Sequence, residues 1–128
     1  MQRVGPLMVK ERTSVAQSQV VLVLDLSGQR DTVEEVLGLA YGLSKLFLKE
    51  YTPVRLLVWD VLEYDFIEVL IQKREEIDTQ FIYLLRRAVV TDNIELAKMV
   101  QSLRPQLQAY AVIGLYEDGV RGEVISHG

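Results

Sequence analysis

The sequence contains no cysteine and only one histidine, His127. Disulfide bonds, thiolate chemistry and cysteine zinc sites are therefore excluded. A mechanism that needs an internal histidine base or a histidine metal cluster is excluded as well. The lack of cysteine fits a cytoplasmic protein, since the cytosol keeps thiols reduced and its proteins rarely rely on disulfides.

Long apolar runs and an excess of positive charge are also lacking. No stretch approaches the roughly 20 apolar residues of a membrane span, and the first residues lack the charged-then-apolar order of a signal peptide. The formal charge is −4, with 14 basic and 18 acidic side chains scattered along the chain. A nucleic-acid surface needs a basic face. We therefore expect no membrane span in this chain, no nucleic-acid partner and a cytoplasmic location.

Apolar residues, by contrast, are plentiful enough for a folded domain. They make up 49% of the 128 residues, and a chain of this size can bury a substantial core. We find no repeat, low-complexity tract or linker. We therefore expect one domain that spans residues 1–128.

The order of the apolar segments predicts an α/β fold. Residues 19–24 have the pattern of a strand buried on both faces, as in the middle of a parallel sheet. A helix follows, with Asp31 or Thr32 as its cap, and Thr52-Pro53 ends it. The other predicted elements are strands at 7–11, 54–60, 66–71 and 110–116, helices at 73–88 and 92–103, and a returning strand at 120–125.

The connections between these segments predict the topology. The chain from Asp60 to Asp65 is too short for a helical crossover, so the strands that it joins must be antiparallel. We number the strands at 19–24, 54–60, 66–71 and 110–116 from 1 to 4. The expected fold is a three-layer α/β sandwich with a mostly parallel sheet in the order 3-2-1-4 and an antiparallel edge strand. We expect the first helix on one face and the second and third mainly on the other.

Two of the predicted parallel strands lead to acidic residues, Asp25 and Asp118. Ligands of open α/β sheets bind beyond the carboxyl ends of the strands. Asp25 and Ser27 present a carboxylate and a hydroxyl from one loop, and Thr91 adds a second hydroxyl. Hard oxygen ligands of this kind suit Mg²⁺, which binds few protein groups and keeps several waters.

Each of these residues also has a purely structural interpretation. Asp25 and Ser27 are residue types that cap helices, and Thr91 is a natural N-cap residue. Asp118-Gly119 is a strong hairpin-turn signal, followed by a segment that returns as a strand. The spacing alone does not decide between these interpretations and a ligand site.

Several segments resemble a bacterial family with von Willebrand A-like domains, whose members are often encoded beside MoxR-type AAA+ ATPases. Gly5-Pro6-Leu7-Met8-Val9-Lys10-Glu11, before the strand that leads to Asp25 and Ser27, is similar to the family's G-x-L-x-V-[RK]-E segment. The likeness continues at residues 53–60, at Thr91-Asp92-Asn93-Ile94 with Leu96-Ala97, and at residues 110–118. It covers about residues 5–118.

The resemblance implies a metal-ion-dependent adhesion site, which binds Mg²⁺ or Mn²⁺ and completes the metal shell with a carboxylate of a partner. Asp25 and Ser27 match the first two positions of its D-x-S-x-S motif. Gln29 stands where the second serine is expected, which implies a degenerate site with weak affinity.

The rest of the implied site comes from later in the chain. Thr91 matches the threonine position, although Val90 precedes it in place of the usual glycine. Asp118 matches the last acidic position, and Glu117 is a neighbour that can substitute for it. The sequence has one strand pattern after Asp118, where the family continues with more strands and helices. We therefore expect an incomplete or excised version of the fold.

Three functions remain open from the sequence. The first is a non-enzymatic protein-interaction module with a metal-assisted site, which the resemblance links to an AAA+ ATPase and to the assembly or maturation of a partner. The second is a metal-free structural or oligomerisation module. The third is a phosphatase of the haloacid dehalogenase type, which needs a second aspartate where Ser27 stands. An open sheet edge near residues 110–125 also predicts a homodimer or another edge contact.

Overall fold

The computed structural model describes residues 19–87 and 95–126. The predicted strand at 7–11, Thr91, His127 and the first residues of the predicted helix at 92–103, residues 92–94, lie outside these residues. The strands are β1 (Val20–Leu24), β2 (Val54–Asp60), β3 (Asp65–Ile71), β4 (Ala109–Tyr116) and β5 (Gly119–Ser126). The α-helices are α1 (Arg30–Lys49), α2 (Ile77–Arg87) and α3 (Leu96–Leu103), and a 3-10 turn, Arg74–Glu76, precedes α2.

The short strand β1 lies at the centre of the sheet. It pairs in parallel with β2 on one side, where Leu22 lies opposite Leu56, and with β4 on the other, where Leu22 lies opposite Ala111. Four of its five residues are buried, because helices cover both faces. A strand that is apolar throughout is typical of this position, so the prediction of a central β1 is confirmed.

Antiparallel strands form both edges of the sheet. β3 pairs with β2 across the short connection, and β5 folds back on β4 from Tyr116 opposite Gly119 to Ala109 opposite Ser126. Gly119 has a φ of +112°, which glycine adopts without the strain that a side chain would add. The order is β3-β2-β1-β4-β5. The predicted order and the antiparallel β3 are confirmed, and β5 extends the sheet by one strand.

One face of the sheet carries both α1 and α2. The side chains of Leu22 and Leu24 share a buried cluster with Val36 of α1 and with Phe81 and Leu84 of α2. We expected α2 on the opposite face, so that prediction was wrong. Because β3 runs antiparallel, the handedness rule for parallel crossovers does not decide the face on which α2 packs. Direct contacts between α2 and α1 decide it.

The two helices on this face contact each other directly. The hydroxyl of Tyr41 in α1 donates a hydrogen bond of 2.5 Å to Asp78 of α2. The same tyrosine ring meets the ring of Phe81 edge to face, with the centroids 5.3 Å apart. This hydrogen bond is the first cause of a raised pKa of the Tyr41 hydroxyl. Aromatic packing and a shared hydrogen bond thus fix α2 against α1.

The other face is covered by α3. Leu96 and Val100 of this helix pack on Val21, Val23 and other residues of the sheet, namely Leu57, Trp59, Phe66, Tyr110 and Val112. α3 is therefore the third layer of the sandwich, and the three-layer α/β architecture is confirmed.

An ion-pair network fastens the end of α3 to the edge strand β3. The Arg104 guanidinium lies 3.2 Å from Asp65 and 3.0 Å from Glu68. Glu68 also pairs with Arg55 of β2. These side chains are partly shielded from solvent, and networks of this kind hold geometry better than isolated surface pairs do.

The start of α1 differs from the prediction of Asp31 or Thr32 as the cap. The N-cap residue is Gln29, whose side chain makes no capping hydrogen bond, and Asp31 lies within the first turn. Gly28, with a φ of +107°, redirects the chain just before the helix. The helix therefore starts as soon as the turn ends. Within residues 19–87 and 95–126, no helix is long and apolar enough to cross a membrane.

The placement of α2 leads to a test with Phe81 and Leu85, which the apolar stripe of this helix predicts to lie on one face. Phe81 is 5% exposed, whereas Leu85 is 51% exposed. We expect Phe81→Ala to lower the free energy of unfolding by about 3–5 kcal/mol, since it leaves a cavity. Leu85→Ala should cost less than about 1 kcal/mol. Urea unfolding of both variants measures the difference, and equal losses would contradict this packing.

Candidate functional site at the carboxyl end of β1

The candidate site lies at the carboxyl end of the sheet, where β1 stops. The backbone N–H of Asp25 still bonds to the carbonyl of Ile113 in β4, at 2.8 Å. Beyond this point the chain leaves the sheet for α1, while β4 continues to Tyr116. Asp25 therefore lies beside the extension of β4, at the point where the connections from β1 and to β4 run over opposite faces. Such a switch point is where ligands of open α/β sheets bind.

Asp25 and Ser27 are joined by two hydrogen bonds. Oδ1 of Asp25 accepts one from the backbone N–H of Ser27, at 3.0 Å, and one from the Ser27 hydroxyl, at 2.5 Å. Leu26 between them is 6% exposed and belongs to the core on the α1 face. A buried leucine thus anchors a compact aspartate turn, and the turn holds the carboxylate and the hydroxyl together.

Gly114 makes room for this carboxylate. A Cβ atom built on Gly114 would lie 3.0 Å from Cβ of Asp25 and 3.3 Å from its Oδ2. These distances are tighter than ordinary van der Waals contact. A glycine within a strand often marks such a close approach. Gly114 therefore determines how near the Asp25 side chain lies to β4.

Tyr116 of β4 and Arg121 of β5 lie on each other beyond Gly114. The Tyr116 hydroxyl donates to the carbonyl of Val112 at 3.2 Å, and the Arg121 guanidinium lies over the tyrosine ring, 4.3 Å from its centroid. Burial is the main cause of a raised pKa of Tyr116, followed by the negative charge of Glu123. The positive charge of Arg121 opposes this shift, and the charge of Asp25 adds the smallest contribution.

Asp118 lies in the hairpin turn between β4 and β5, where it is paired with a cation. Its Oδ1 accepts a hydrogen bond of 2.9 Å from Arg121, which is the first cause of a lowered pKa of Asp118. The pair persists above this lowered pKa and is lost as the pH falls through it. Asp118 follows Gly114 by four residues, so at ~3.3 Å per residue it lies up to about 13 Å farther along the hairpin than the point opposite Asp25.

The remaining predicted ligands are spread over different positions. Gln29 is exposed at the start of α1, and Glu117 is exposed in the hairpin turn. Thr91 lies outside the described residues. In the part of the chain that the structure describes, no three His, Cys, Asp or Glu side chains are grouped so that they could hold a metal ion. Of the six predicted site residues, the structure brings Asp25 and Ser27 into contact with each other.

Sequence reasoning did not identify Gly114, Tyr116 or Arg121 as part of this region. A glycine inside an apolar strand was the available signal for Gly114. Arg121 stands three residues after Asp118, so that a hairpin turn at Asp118-Gly119 brings their charges together. The spacing of Asp118 and Arg121 was the available signal for this ion pair.

A second feature is an apolar groove near the other end of the sheet. It has a volume of about 620 Å³ and runs between the second half of α1 and the strands β4 and β5. Leu39, Leu43 and Phe47 of α1 line one side, and Val120 and Val124 of β5 line the other. The groove is separate from Asp25, which lies at the carboxyl end of β1.

Comparisons with known proteins give no relative for this fold and site. No family model matches the sequence, no curated protein matches it, and no solved structure matches the structure.

The close approach of Asp25 to β4 can be tested with two strand glycines. Gly114→Ala should lower the free energy of unfolding by about 1–3 kcal/mol, because the new methyl group meets Asp25. Gly122→Ala is the matched control: its nearest atom would be Cγ1 of Ile113, at an ordinary 3.6 Å, and the expected change is within about 0.5 kcal/mol. Thermal or urea unfolding compares them. A Gly114→Ala variant as stable as the parent would show that the Asp25 side chain is not held at this distance.

Proposed function

We propose that the chain is a non-enzymatic protein-interaction module, and that Asp25 and Ser27 bind a partner's carboxylate through a weakly held Mg²⁺ or Mn²⁺ ion. The observation that carries this proposal is the paired carboxylate and hydroxyl at the switch point of the sheet, with the hydroxyl 2.5 Å from Oδ1. The two side chains are adjacent because the residues are two positions apart and share two hydrogen bonds within one turn.

The direction of the hydrogen bond between Ser27 and Asp25 supports a role of both side chains as metal ligands. Because the Ser27 hydroxyl donates to Asp25, the lone pairs of its oxygen stay available to accept or to ligate. Both bonds from Ser27 go to Oδ1 of Asp25, so Oδ2 is the carboxylate oxygen left for an ion. Two protein oxygens are enough for a loosely held Mg²⁺, which keeps several waters. A partner's carboxylate would replace one of these waters.

The kind of partner follows from the same chemistry. An ion held by one carboxylate keeps a net positive charge, so it attracts an acidic side chain of another protein. The family resemblance favours an AAA+ ATPase as the partner, in the assembly or maturation of a further protein. We propose that the chain acts there as a binding subunit.

A metal-free module is the second candidate, and the hairpin favours it. Asp118 is neutralised by Arg121 in its own chain, so this acid has a partner without any ion. Asp25 is likewise satisfied in part by Ser27. In this alternative the turn at Asp25 serves the fold alone, and the working surface lies elsewhere on the molecule.

Calorimetry with Mg²⁺ and with Mn²⁺ distinguishes the two candidates. The parent should bind weakly. The Gln29→Ser variant should bind the ion more tightly, because a serine side chain loses less conformational entropy than a glutamine side chain when it becomes a metal ligand. Asp25→Ala should abolish binding, because it removes the charged ligand.

Asp31→Ala is the matched control for Asp25→Ala, since Asp31 is an exposed acid in the first turn of α1. It should leave ion binding unchanged. If Gln29→Ser binds no better than the parent and Asp25→Ala changes nothing, the turn is a structural element and the metal-free candidate stands.

A further inference from the structure

The outer edge of β5 is the most open backbone edge in the described structure. β5 pairs with β4 on one side, and within residues 19–87 and 95–126 it is the last strand of the sheet. It is eight residues long, and none of them is buried. Val124 is 76% exposed. Alternate residues of such a strand turn unpaired N–H and C=O groups outward, which makes it a template for another strand.

We propose that a second copy of this chain pairs with this edge, so that two β5 strands run antiparallel about a two-fold axis at Gly122. The axis is perpendicular to the sheet and joins two five-stranded sheets into one. Gly122 then lies opposite its own copy, Arg121 lies opposite Glu123, and Val120 lies opposite Val124.

The charges of β5 support this register. Arg121 and Glu123 lie on the same face of the strand, with their charged groups 3.8 Å apart within one chain. In the dimer each arginine faces the glutamate of the other copy, and the symmetry produces this pair twice. Opposite charges directly across an antiparallel pair are favourable, whereas like charges are unfavourable.

The apolar side chains of β5 support the same register on the other face. Val120 and Val124 both line the groove beside α1. Facing the partner's Val124, Val120 gains an apolar neighbour, and the reverse contact removes the exposed Val124 side chain from water. The symmetric interface therefore covers the part of β5 that solvent reaches most easily.

Neighbouring registers are less favourable. The two-fold axis can pass through any residue of β5, because every such position keeps the groove faces of the two copies on the same side of the joined sheet. The neighbouring registers therefore place the axis one residue away from Gly122. An axis at position 121 places Arg121 opposite Arg121, and an axis at position 123 places Glu123 opposite Glu123. Both put like charges at the centre of the interface. With the axis at Gly122, by contrast, each Arg121 lies opposite a Glu123 of the other copy.

A cross-linking experiment tests the register, since the protein has no cysteine of its own. Opposed Cα atoms in an antiparallel pair lie about 5 Å apart, within the range that a disulfide spans. A Cβ at Gly122 meets ordinary contact distances, so the site accepts a side chain. Gly122→Cys should therefore give a disulfide-linked dimer under mild oxidation.

Two matched variants make this result specific. In the proposed dimer the two copies of position 120 lie about 13 Å apart, as do the two copies of position 124, which is too far for a disulfide. Val120→Cys alone and Val124→Cys alone should stay unlinked. A mixture of the two should cross-link, because each cysteine faces the other variant. Equal cross-linking of each variant alone would overturn the proposed register.

A charge-reversal experiment tests the association itself by sedimentation velocity over a range of concentrations. Arg121→Glu and Glu123→Arg should each weaken self-association about tenfold or more, since both place like charges opposite each other. Mixing these two variants should restore a one-to-one dimer in which every pair is again opposite in charge. Circular dichroism of each variant confirms that it is folded.

The outcomes decide the proposal without reference to metal binding. Restored association in the mixture supports the β5 pairing, because a general loss of stability would not be repaired by mixing. A parent protein that stays monomeric at high concentration, or a mixture that does not associate, would overturn it. Both tests are run without added Mg²⁺, so that no ion at Asp25 affects the result.

Discussion

The arrangement depends on the pairing of β1 along both of its edges. Its five apolar residues bond to β2 and β4 in parallel, which directs the carboxyl ends of all three strands to one edge of the sheet. The same pairing requires helices over both faces, since neither face of β1 carries a polar side chain. The position of Asp25 follows directly, because it is the first residue after the strand and still bonds to β4.

Much of the fold could be predicted from local patterns, and the exception has a physical cause. The apolar run at β1 indicated the centre of the sheet, and the short chain between Asp60 and Asp65 required an antiparallel β3. The apolar stripe of Ile77, Phe81, Leu84, Leu85 and Ala88 predicted that α2 is buried on one side, although Leu85 is exposed. It did not show against which face of the sheet, because the handedness rule for crossovers applies to parallel strands. Contacts with Tyr41, distant in sequence, fix that choice.

In the candidate site, too, contacts between residues close in the sequence could be predicted, whereas contacts between residues far apart in the sequence could not. Asp25 and Ser27 are two residues apart, so their proximity followed from the sequence. Their closeness to β4 depends on Gly114, whose role appears when the strands are in register. Asp118 ends β4 in the sequence, yet the hairpin carries it past the end of β1 and Arg121 binds it. The adhesion-site motif alone could not show this ion pair, because Arg121 is not one of its residues.

The ion-pair network at the opposite edge of the sheet has a consequence for assembly. β3 presents Asp65 and Glu68, which Arg104 holds in place at the end of α3. Charged side chains on an edge strand discourage a further strand from adding there. In the dimer proposed above, β5 of each copy is used by the other copy, so that β3 would be the outer strand of the joined sheet among the described residues. Asp65 and Glu68 would thus limit the proposed assembly to two copies, and Arg104 holds these acids in place.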